Sequence, residues 1–415
     1  MHPETGGTVT RRVAITGLGA ITPLGEDVPS FWEGLRAGRS GIGPIATVDC
    51  SRLRFANGAE VAGYDPSRHF GDKEAGLLDR FAQFGLIAAR EALAMAAVEW
   101  TPRLRDRAAV VTGSCLGGKI TEDQAFAAVH DGGGRRVHPF AIPRAMANAG
   151  ASQISIELGL RGPVYTISTA CASATHAIGQ AFWLVRSGVA EIAVTGGSEA
   201  PFTLGHLKKW EALRVVAPDT CRPFSRGRRG MILGEGGAML VLEPLDAALA
   251  RGAAVLGEVV GFGMSADAHH VTQPAAEGAG LAISAALEDG GLAPEQVGYV
   301  NAHGTGTAVN DPVETAALRR VFGGHAGRLA VSSTKSMHGH ALGAAGAIEA
   351  VATVLALRDG VLPPTANFTE ADPECDLDVI PNQARRAEVE HAISNSFAFG
   401  GLNGVLAFRA FRKGT

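Results

Sequence analysis

A single cysteine, Cys171, lies among small residues in the segment STACASATHAIG, residues 168–179. The preceding stretch VYTIS is typical of a strand, and the following ATHAIGQAFWLVRSG is typical of a helix. The free N–H groups and partial positive charge at a helix N-terminus lower the pKa of a thiol and favour the reactive thiolate. This position therefore predicts a nucleophile whose own backbone N–H faces an oxygen of the group it attacks.

Burial is the alternative for any cysteine of an α/β protein, because a free thiol packs like a small apolar group. The total of five cysteines is odd and contains no CxxC pair, which argues against a disulfide framework or a zinc site and fits a reducing cytoplasm. We assign structural burial to the other four, which are Cys50, Cys115, Cys221 and Cys375.

Imidazoles follow two further predicted strands. The segment VNAHGTGT places His303 at a strand end, and STKSMHGHALGAAGAIE places Lys335, His338 and His340 at a second strand-to-helix corner. Open α/β sheets bind ligands at such strand ends. Neutral imidazoles near a thiol suit acid–base catalysis or hydrogen bonding to a developing anion. The sequence predicts no metal, because no carboxylate or further histidine stands at ligand spacing.

Carboxylates follow both histidine corners. Asp311 and Glu314 occur in NDPVE, and Glu349 lies on the helix after His340. A carboxylate near a buried Lys335 is expected to pair with it, because an isolated buried charge is costly. Ordinary helix-surface charge is the alternative for Asp311 and Glu314.

A glycine turn in SNSFAFGGLNG is predicted between two C-terminal strands. Gly400 and Gly401 permit unusual backbone angles and close approach. The backbone N–H of Phe399 is then placed to complete an anion hole begun by Cys171. A plain hairpin is the alternative.

The bulk composition narrows the class of protein. The chain has 415 residues, of which 46% are hydrophobic and 19% charged, so a large folded core is expected. The net charge of −4 gives no reason to expect nucleic acid. The N-terminal MHPETGGTVTRR lacks the apolar segment of a signal peptide. The sequence contains no run of 18 apolar residues, so no membrane span is expected.

Strand and helix patterns alternate along the chain, which predicts an α/β layered fold. The segments around Cys171 and His340 share a plan of strand, Ser-Thr corner, small residues and helix, so we expect a duplication with its joint near residues 250–260. The predicted organisation is a tail (1–11), a half carrying the cysteine (12–256) and a half carrying the two histidines (257–415). The N-terminal half is expected to contain strands at 12–16, 108–113, 164–168, 191–197 and 238–244.

Taken together, these motifs resemble the β-ketoacyl-acyl-carrier-protein synthases, in particular the type II Cys-His-His condensing enzymes of the thiolase fold. The resemblance extends from about residue 12 to about residue 409, and includes RPFSRGRRGMILGEGGAMLVLE and VGFGMSADAHHVTQP. It implies a duplicated five-layer αβαβα fold, no cofactor and a cytoplasmic homodimer that acts on acyl carrier protein.

The resemblance also implies a role for each motif. Cys171 would carry an acyl group as a thioester, and His303 and His340 would support decarboxylation of malonyl carrier protein. The acyl oxyanion would bind the N–H groups of Cys171 and Phe399. The remaining residues implied by the resemblance are Lys335 paired with Glu349, the supporting Asp311, Glu314, Thr305 and Thr307, Phe399 and Gly400 as a gate, Leu116 and Ala141 in the acyl pocket, and Arg135, Arg136, Lys208, Lys209, Arg228 and Arg229 as carrier-protein contacts.

Departures from the housekeeping pattern affect the expected substrate. His338 and Leu402 stand where such enzymes usually have threonine, and Ala141 stands where a bulky aromatic residue often lines the acyl pocket. These changes resemble the specialised nodulation protein E group and imply an unusual, polyunsaturated acyl chain. They bear on the substrate rather than on the reaction.

The sequence disfavours three rival functions. A dinucleotide-binding oxidoreductase is disfavoured because the glycines of RVAITGLGAITPLG do not match GxGxxG. A non-elongating chain-length partner subunit is disfavoured by the presence of Cys171 and both histidines. A thiolase is disfavoured because Cys375, in DPECDLD, lies away from the C-terminal glycine turn.

Overall fold

The computed structural model describes residues 11–130 and 136–412. Of the predicted tail, residues 1–10 lie outside the described residues, as does Arg135. The strands are β1 Val13–Ile21, β2 Gly43–Pro44, β3 Asn57–Gly58, β4 Ala108–Gly113, β5 Val164–Ile167, β6 Ile192–Glu199, β7 Gly236–Pro244, β8 Gly257–Ala266, β9 Val297–Asn301, β10 Ala330–Ser332, β11 Val361–Leu362, β12 Arg385–Arg386, β13 His391–Ala398 and β14 Leu402–Arg409. The helices are α1 Val28–Arg36, α2 Asp72–Ala75, α3 Arg80–Ala96, α4 Pro102–Asp106, α5 Lys119–His130, α6 Ala141–Ala145, α7 Ala149–Leu158, α8 Ser173–Arg186, α9 Leu204–Leu213, α10 Leu245–Ala250, α11 Ala276–Asp289, α12 Asn310–Phe322, α13 Lys335–His338 and α14 Ala345–Asp359.

Ten strands form one mixed sheet in the order β10-β9-β13-β14-β8-β1-β7-β6-β4-β5. If the strands of each half are numbered in chain order, both halves have the same order from outer edge to centre, 3-2-4-5-1. Antiparallel pairing from Val13 opposite Val259 to Ile15 opposite Gly257 joins the two halves at β1 and β8. The common strand order agrees with the duplication expected from the similar sequence segments around Cys171 and His340.

Helices cover and separate the two halves of the sheet. Helices α3 and α7 pack on the outer face of the first half, and α11 packs on β8 and β14 of the second half, with α12 beside it. Helices α8 and α14 lie between the halves and contact strands of both. This is a duplicated five-layer αβαβα arrangement, and the predicted α/β fold class is confirmed.

Strand β1 is longer than the sequence pattern predicts. The predicted strand ends at residue 16, with a turn after it, whereas β1 runs on to Ile21 through Gly17 and Gly19. These glycines allow helix α3 to pack closely on the strand, because a Cβ at either position would lie about 2 Å from the carbonyl oxygen of Ala92 or Ala88. The glycines that indicated a turn are therefore required by close helix–strand packing.

The two central helices begin at the corners that carry the candidate catalytic residues. Helix α8 follows β5, the third strand of its half, and α14 follows β10, the third strand of the other half. Residues 345–357 of α14 are all buried. Since both helices are locked between the halves of the sheet, the residues at their N-terminal ends are held in fixed positions. No helix in the described ranges combines the length and apolar character needed to cross a membrane.

Candidate active site

Cys171 lies between β5 and α8, at a turn in which Ala170 adopts a left-handed φ of 48°. The thiol is 8% exposed. Burial raises its pKa to about 11, while the charge of Lys335 and the backbone N–H groups of Phe399 and Cys171 itself oppose the rise. The sequence argument predicted a lowered pKa, and this direction is wrong because desolvation of the thiolate outweighs the favourable groups around it.

The raised pKa predicts how the thiol reacts with a small alkylating agent. Alkylation of Cys171 by iodoacetamide should rise by roughly tenfold per pH unit between pH 7 and 9, because only the thiolate reacts. Lys335→Met should slow the reaction at every pH, since Lys335 favours the thiolate. Tandem mass spectrometry of the Cys171 peptide measures the rate, with Cys50 as an internal comparison. A plateau below pH 8 would contradict this account.

His303 and His340 face each other beside the thiol. Their ring centroids are 5.4 Å apart at an interplanar angle of 85°, and both rings line one cavity with Cys171. Burial, followed by the charge of Lys335, holds the pKa of each imidazole well below the usual 6.5. Both rings are therefore neutral near pH 7.

The tautomer of His340 follows from its hydrogen bonds. Nδ1 accepts from the backbone N–H of Leu342 at 3.3 Å, so the proton of the neutral ring lies on Nε2. Nε2 has no hydrogen-bond partner in the part of the chain that the structure describes. The Nε2–H group of His340 is therefore a buried donor that is available to a bound ligand. The Nδ1 atom of His303 is likewise unpartnered among the described residues.

Lys335 and Glu349 form a fully buried ion pair through Nζ and Oε1. The pairing predicted from the sequence is present in the structure. Burial raises the pKa of Glu349 to about 7, and the Lys335 charge opposes the rise. The same lysine lowers the pKa of Cys171, His303 and His340, so one buried cation influences all three groups.

Asp311 and Glu314 are both fully buried, which rules out the helix-surface alternative. Glu314 accepts hydrogen bonds from the backbone N–H groups of His303 at 2.8 Å and Gly304 at 2.7 Å. Asp311 accepts from the N–H groups of Phe224 and Gly306. Burial raises the pKa of both carboxyls. The two carboxylates therefore fix the backbone of the loop that carries His303.

Glu314→Gln should destabilise the protein and impair catalysis. The amide nitrogen of glutamine is a donor, so one of the two backbone N–H groups loses its acceptor, at a cost of about 2 kcal/mol. We expect a lower melting temperature and an activity loss that exceeds the fraction unfolded. Glu288→Gln, at an exposed position on α11, is the matched control. Equal melting temperatures for the two variants would contradict the assigned contacts.

The glycine turn between β13 and β14 brings Phe399 to the thiol. Gly400 and Gly401 adopt φ values of 87° and 69°, which other residues rarely tolerate. The backbone N–H groups of Phe399 and Cys171 both lower the pKa of the sulfur, so they converge on the same atom. This geometry provides two donors for an oxyanion formed at Cys171.

Two cavities meet at Cys171. The first, of about 250 Å³, is lined by His303 and His340 together with Thr305 and Thr307. The second, of about 390 Å³, is lined mainly by apolar side chains, including Leu116. Ala141, at the start of α6, does not line either cavity within the described ranges. The residues common to both cavities are Cys171, Trp210, Leu213 and Phe399.

The basic residues singled out in the sequence have different environments. Lys208 is exposed and pairs with Glu211, and Lys209 is exposed at the rim of the second cavity. Arg136 is exposed. Arg228 is 5% exposed, donates to the carbonyl of Thr307 and pairs with Asp372, so it is a buried structural residue. Arg229 is exposed and lies 3.4 Å from Asp219.

Sequence reasoning missed Glu199. This fully buried carboxylate accepts from Ser114 Oγ and from the backbone N–H groups of Cys115, Leu116 and Gly343. It thereby joins the loop that carries Leu116 to the segment that follows His340. The detectable signal was an acidic residue directly after the apolar strand EIAVTGGS.

Comparisons with known proteins cover almost the whole chain. The family described as Beta-ketoacyl synthase, N-terminal domain, matches residues 10–248, and Beta-ketoacyl synthase, C-terminal domain, matches residues 256–369. Nodulation protein E of Rhizobium sp. (strain N33) is 49% identical over 399 residues, covering 96% of this chain and 99% of that protein. The 3-oxoacyl-[acyl-carrier-protein] synthase 2 of Synechocystis sp. is 45% identical over 411 residues, covering 97% and 99%.

Solved structures of ketosynthases also superpose on this chain. The ishigamide ketosynthase/chain length factor superposes with a TM-score of 0.93 at 36% identity, covering 97% of this chain and 100% of that chain. A type II PKS acyl-carrier protein in complex with its ketosynthase bound to the hexaketide contains a chain that superposes with a TM-score of 0.87 at 31% identity, with the same coverage.

Proposed function

The chain belongs to the beta-ketoacyl synthase family, and on that premise we propose that Cys171, His303 and His340 carry out the condensation for which the family is named. The protein is an acyl-transferring condensing enzyme. It joins an acyl chain to the two-carbon unit of malonyl-acyl carrier protein, with loss of CO2, to give a 3-oxoacyl-acyl carrier protein in fatty acid or polyketide synthesis.

In the first half-reaction, Cys171 takes the acyl group from its carrier. The Cys171 sulfur forms a bond to the thioester carbonyl, the bond to the carrier sulfur breaks, and the thiol proton ends on the carrier thiol. The N–H groups of Cys171 and Phe399 bind the oxygen of the tetrahedral intermediate. Their convergence on the sulfur supports this role. The acyl chain extends into the cavity lined by Leu116.

In the second half-reaction, malonyl-acyl carrier protein enters the cavity that contains both histidines. Loss of CO2 leaves an electron pair that is delocalised onto the thioester oxygen as an enolate. The unpartnered Nε2–H of His340 donates to that oxygen, and neutral His303 lies opposite it. The carbanion then attacks the acyl carbonyl, and the Cys171 thiolate leaves.

Lys335 and Glu349 support both half-reactions without contacting the substrate. Burial, followed by the charge of the lysine, keeps the two imidazoles neutral, and the lysine favours the departing Cys171 thiolate. Glu349 balances the charge of the lysine, which would otherwise be too costly to bury. Thr305 and Thr307 line the malonyl side, where their hydroxyls contact incoming substrate.

The single observation that carries this proposal is the meeting of a thiol, two neutral imidazoles and two backbone donors at the boundary of two cavities. The test is an assay of the purified protein with malonyl-acyl carrier protein and acyl carriers of graded chain length. A 3-oxoacyl carrier product lengthened by two carbons is expected. Failure to form it from any chain length would reject the enzymatic role in favour of a non-elongating partner subunit.

We assign two protein partners. Acyl carrier protein is acidic, and exposed Arg136, Lys208 and Lys209 supply positive charge for its docking, with the last beside the acyl cavity. The other partner is a second copy of this chain, because β5 is an open sheet edge and helices α5, α6 and α7 of the same half, with the residues that flank α6, carry exposed apolar side chains. These are Phe126, Phe140, Ile142, Met146 and Ile156.

Sedimentation equilibrium tests the proposed dimer by measuring the mass of the purified protein in solution. The mass of a homodimer is expected. A monomer that dimerises only with a related subunit would contradict the homodimer. The five free cysteines support a reducing, cytoplasmic location.

A further inference from the structure

The wall between the two cavities contains an aromatic pair. Trp210 and Phe399 are stacked, with ring centroids 6.1 Å apart and an interplanar angle of 28°, and both line the two cavities. Both histidines of the site lie on one side of this wall, and Leu116 and Leu342 lie on the other. Cys171 lies at the same boundary, so an acyl chain on its sulfur enters the second cavity alongside this aromatic pair.

The indole of Trp210 is held by a residue that none of the catalytic roles involves. His206 lies one turn earlier on α9, and its Nε2 accepts a hydrogen bond of 2.7 Å from Trp210 Nε1. The backbone N–H of His206 is in turn bound by Thr203 Oγ1 at the N-cap of the helix. The indole is therefore fixed by a hydrogen bond on its edge and by the Phe399 ring on its face.

The protonation state of His206 is the one that the hydrogen bond from Trp210 requires. Burial, followed by the charges of Lys119 and Lys209, lowers its pKa to about 4, so the ring is neutral at physiological pH. Because Nε2 is the acceptor, the proton lies on Nδ1, which is buried without a partner among the residues described.

We propose that His206 is a positioning residue that anchors Trp210 against Phe399 and so sets the entrance of the acyl cavity. The proposal rests on the function assigned above and adds a determinant of chain-length selection. When the anchor is lost, the indole is free to rotate into the space that a long acyl chain occupies. A short chain occupies less of that space and is affected less.

The experiment compares His206→Leu, His206→Gln and Trp210→Phe. The first removes the acceptor, the second retains an acceptor oxygen, and the third removes the indole N–H but keeps an aromatic ring. The readout is the second-order rate of Cys171 acylation by carriers bearing dodecanoyl or butyryl chains. We expect His206→Leu and Trp210→Phe to slow dodecanoyl transfer about three- to tenfold, the factor for one lost neutral hydrogen bond, and to slow butyryl transfer less.

Two further measurements separate positioning from a general structural defect. His206→Gln should recover most of the dodecanoyl rate, and the His206→Leu/Trp210→Phe double variant should be no slower than either single variant, because both remove the same interaction. The emission of Trp210, taken as the difference from Trp210→Phe, should shift to the blue in the His206→Leu background, because the indole N–H loses its acceptor and the ring moves into an apolar cavity.

The proposal is overturned if the dodecanoyl rates of His206→Leu and Trp210→Phe match that of the unaltered protein, or if their losses are additive. An unaltered protein whose Cys171 accepts no acyl group would reject the assigned function. In that case the Trp210 emission still tests the anchor, and an unshifted emission would reject it independently.

Discussion

Cys171→Ala is expected to abolish condensation, with a loss of at least about a thousandfold, since no other group in the site can carry the acyl chain. The four remaining cysteines do not substitute for it. Cys115 is the nearest alternative, because it lines the same acyl cavity, but burial and the neighbouring Glu199 carboxylate raise its thiol pKa well above 9. Its sulfur also contacts Glu199 at 2.8 Å, which holds the proton on the thiol.

The same variant should retain decarboxylation of malonyl-acyl carrier protein. His303, His340 and Lys335 keep their positions when a single buried sulfur is removed, so the enolate remains stabilised. Release of CO2 from radiolabelled malonyl carrier measures this activity, and Cys50→Ala, at a partly exposed site outside both cavities, is the control. Acyl transfer by Cys171→Ala at more than a few per cent of the normal rate would disprove the assignment.

His340→Ala has the second largest expected effect. It removes the unpartnered Nε2–H donor, and loss of one such donor to a developing oxyanion lowers the rate by about 10²–10³. Decarboxylation should fall by that factor. Acyl transfer to Cys171 should fall less than about tenfold, because its oxyanion binds the backbone N–H groups of Cys171 and Phe399 instead.

For His340→Ala, the informative result is the difference between the loss of decarboxylation and the loss of acyl transfer. His325→Ala is the control, because this half-buried imidazole bonds the Val297 carbonyl and does not line either cavity in the described ranges. An unchanged decarboxylation rate would remove His340 from the mechanism. An equal loss in both half-reactions would indicate that the ring supports the site structurally.

The two imidazoles should add no titration step to the pH dependence of decarboxylation from pH 6 to 8, where Glu349, with a pKa of about 7, titrates. The folded-state pKa of each imidazole is depressed below its unfolded value, so both rings are neutral across this range. Their burial favours the folded state above the unfolded pKa of about 6.5, and this contribution is lost as the pH falls below it. Stability, rather than catalysis, is therefore expected to fall first on acidification.

Local sequence patterns were sufficient to locate the corners that carry the candidate residues. Cys171 and His303 follow the ends of β5 and β9 closely, and His340 follows β10 after the short helix α13. The contacts that complete the site are long-range. Glu199 binds residues 83–85 positions earlier in the chain, and its role depends on the pairing of β4 with β6. No local pattern contains that information.

One error and one unresolved alternative in the sequence interpretation have the same physical origin. The thiol pKa was predicted from the helix N-terminus, but the fold buries Cys171 and desolvation dominates. Asp311 and Glu314 read equally well as surface charge, but the fold buries both and supplies backbone donors. Burial depends on how the two halves of the sheet pack, which a single helix or strand does not reveal.

The most direct test of the central claim is acylation in the absence of malonyl substrate. The unaltered protein is incubated with an acyl-acyl carrier protein, and intact-mass and peptide mass spectrometry identify the modified residue. One acyl group per chain, bound as a hydroxylamine-labile thioester on Cys171, is the predicted result. An unmodified chain, or an acyl group on any other cysteine, would contradict the account.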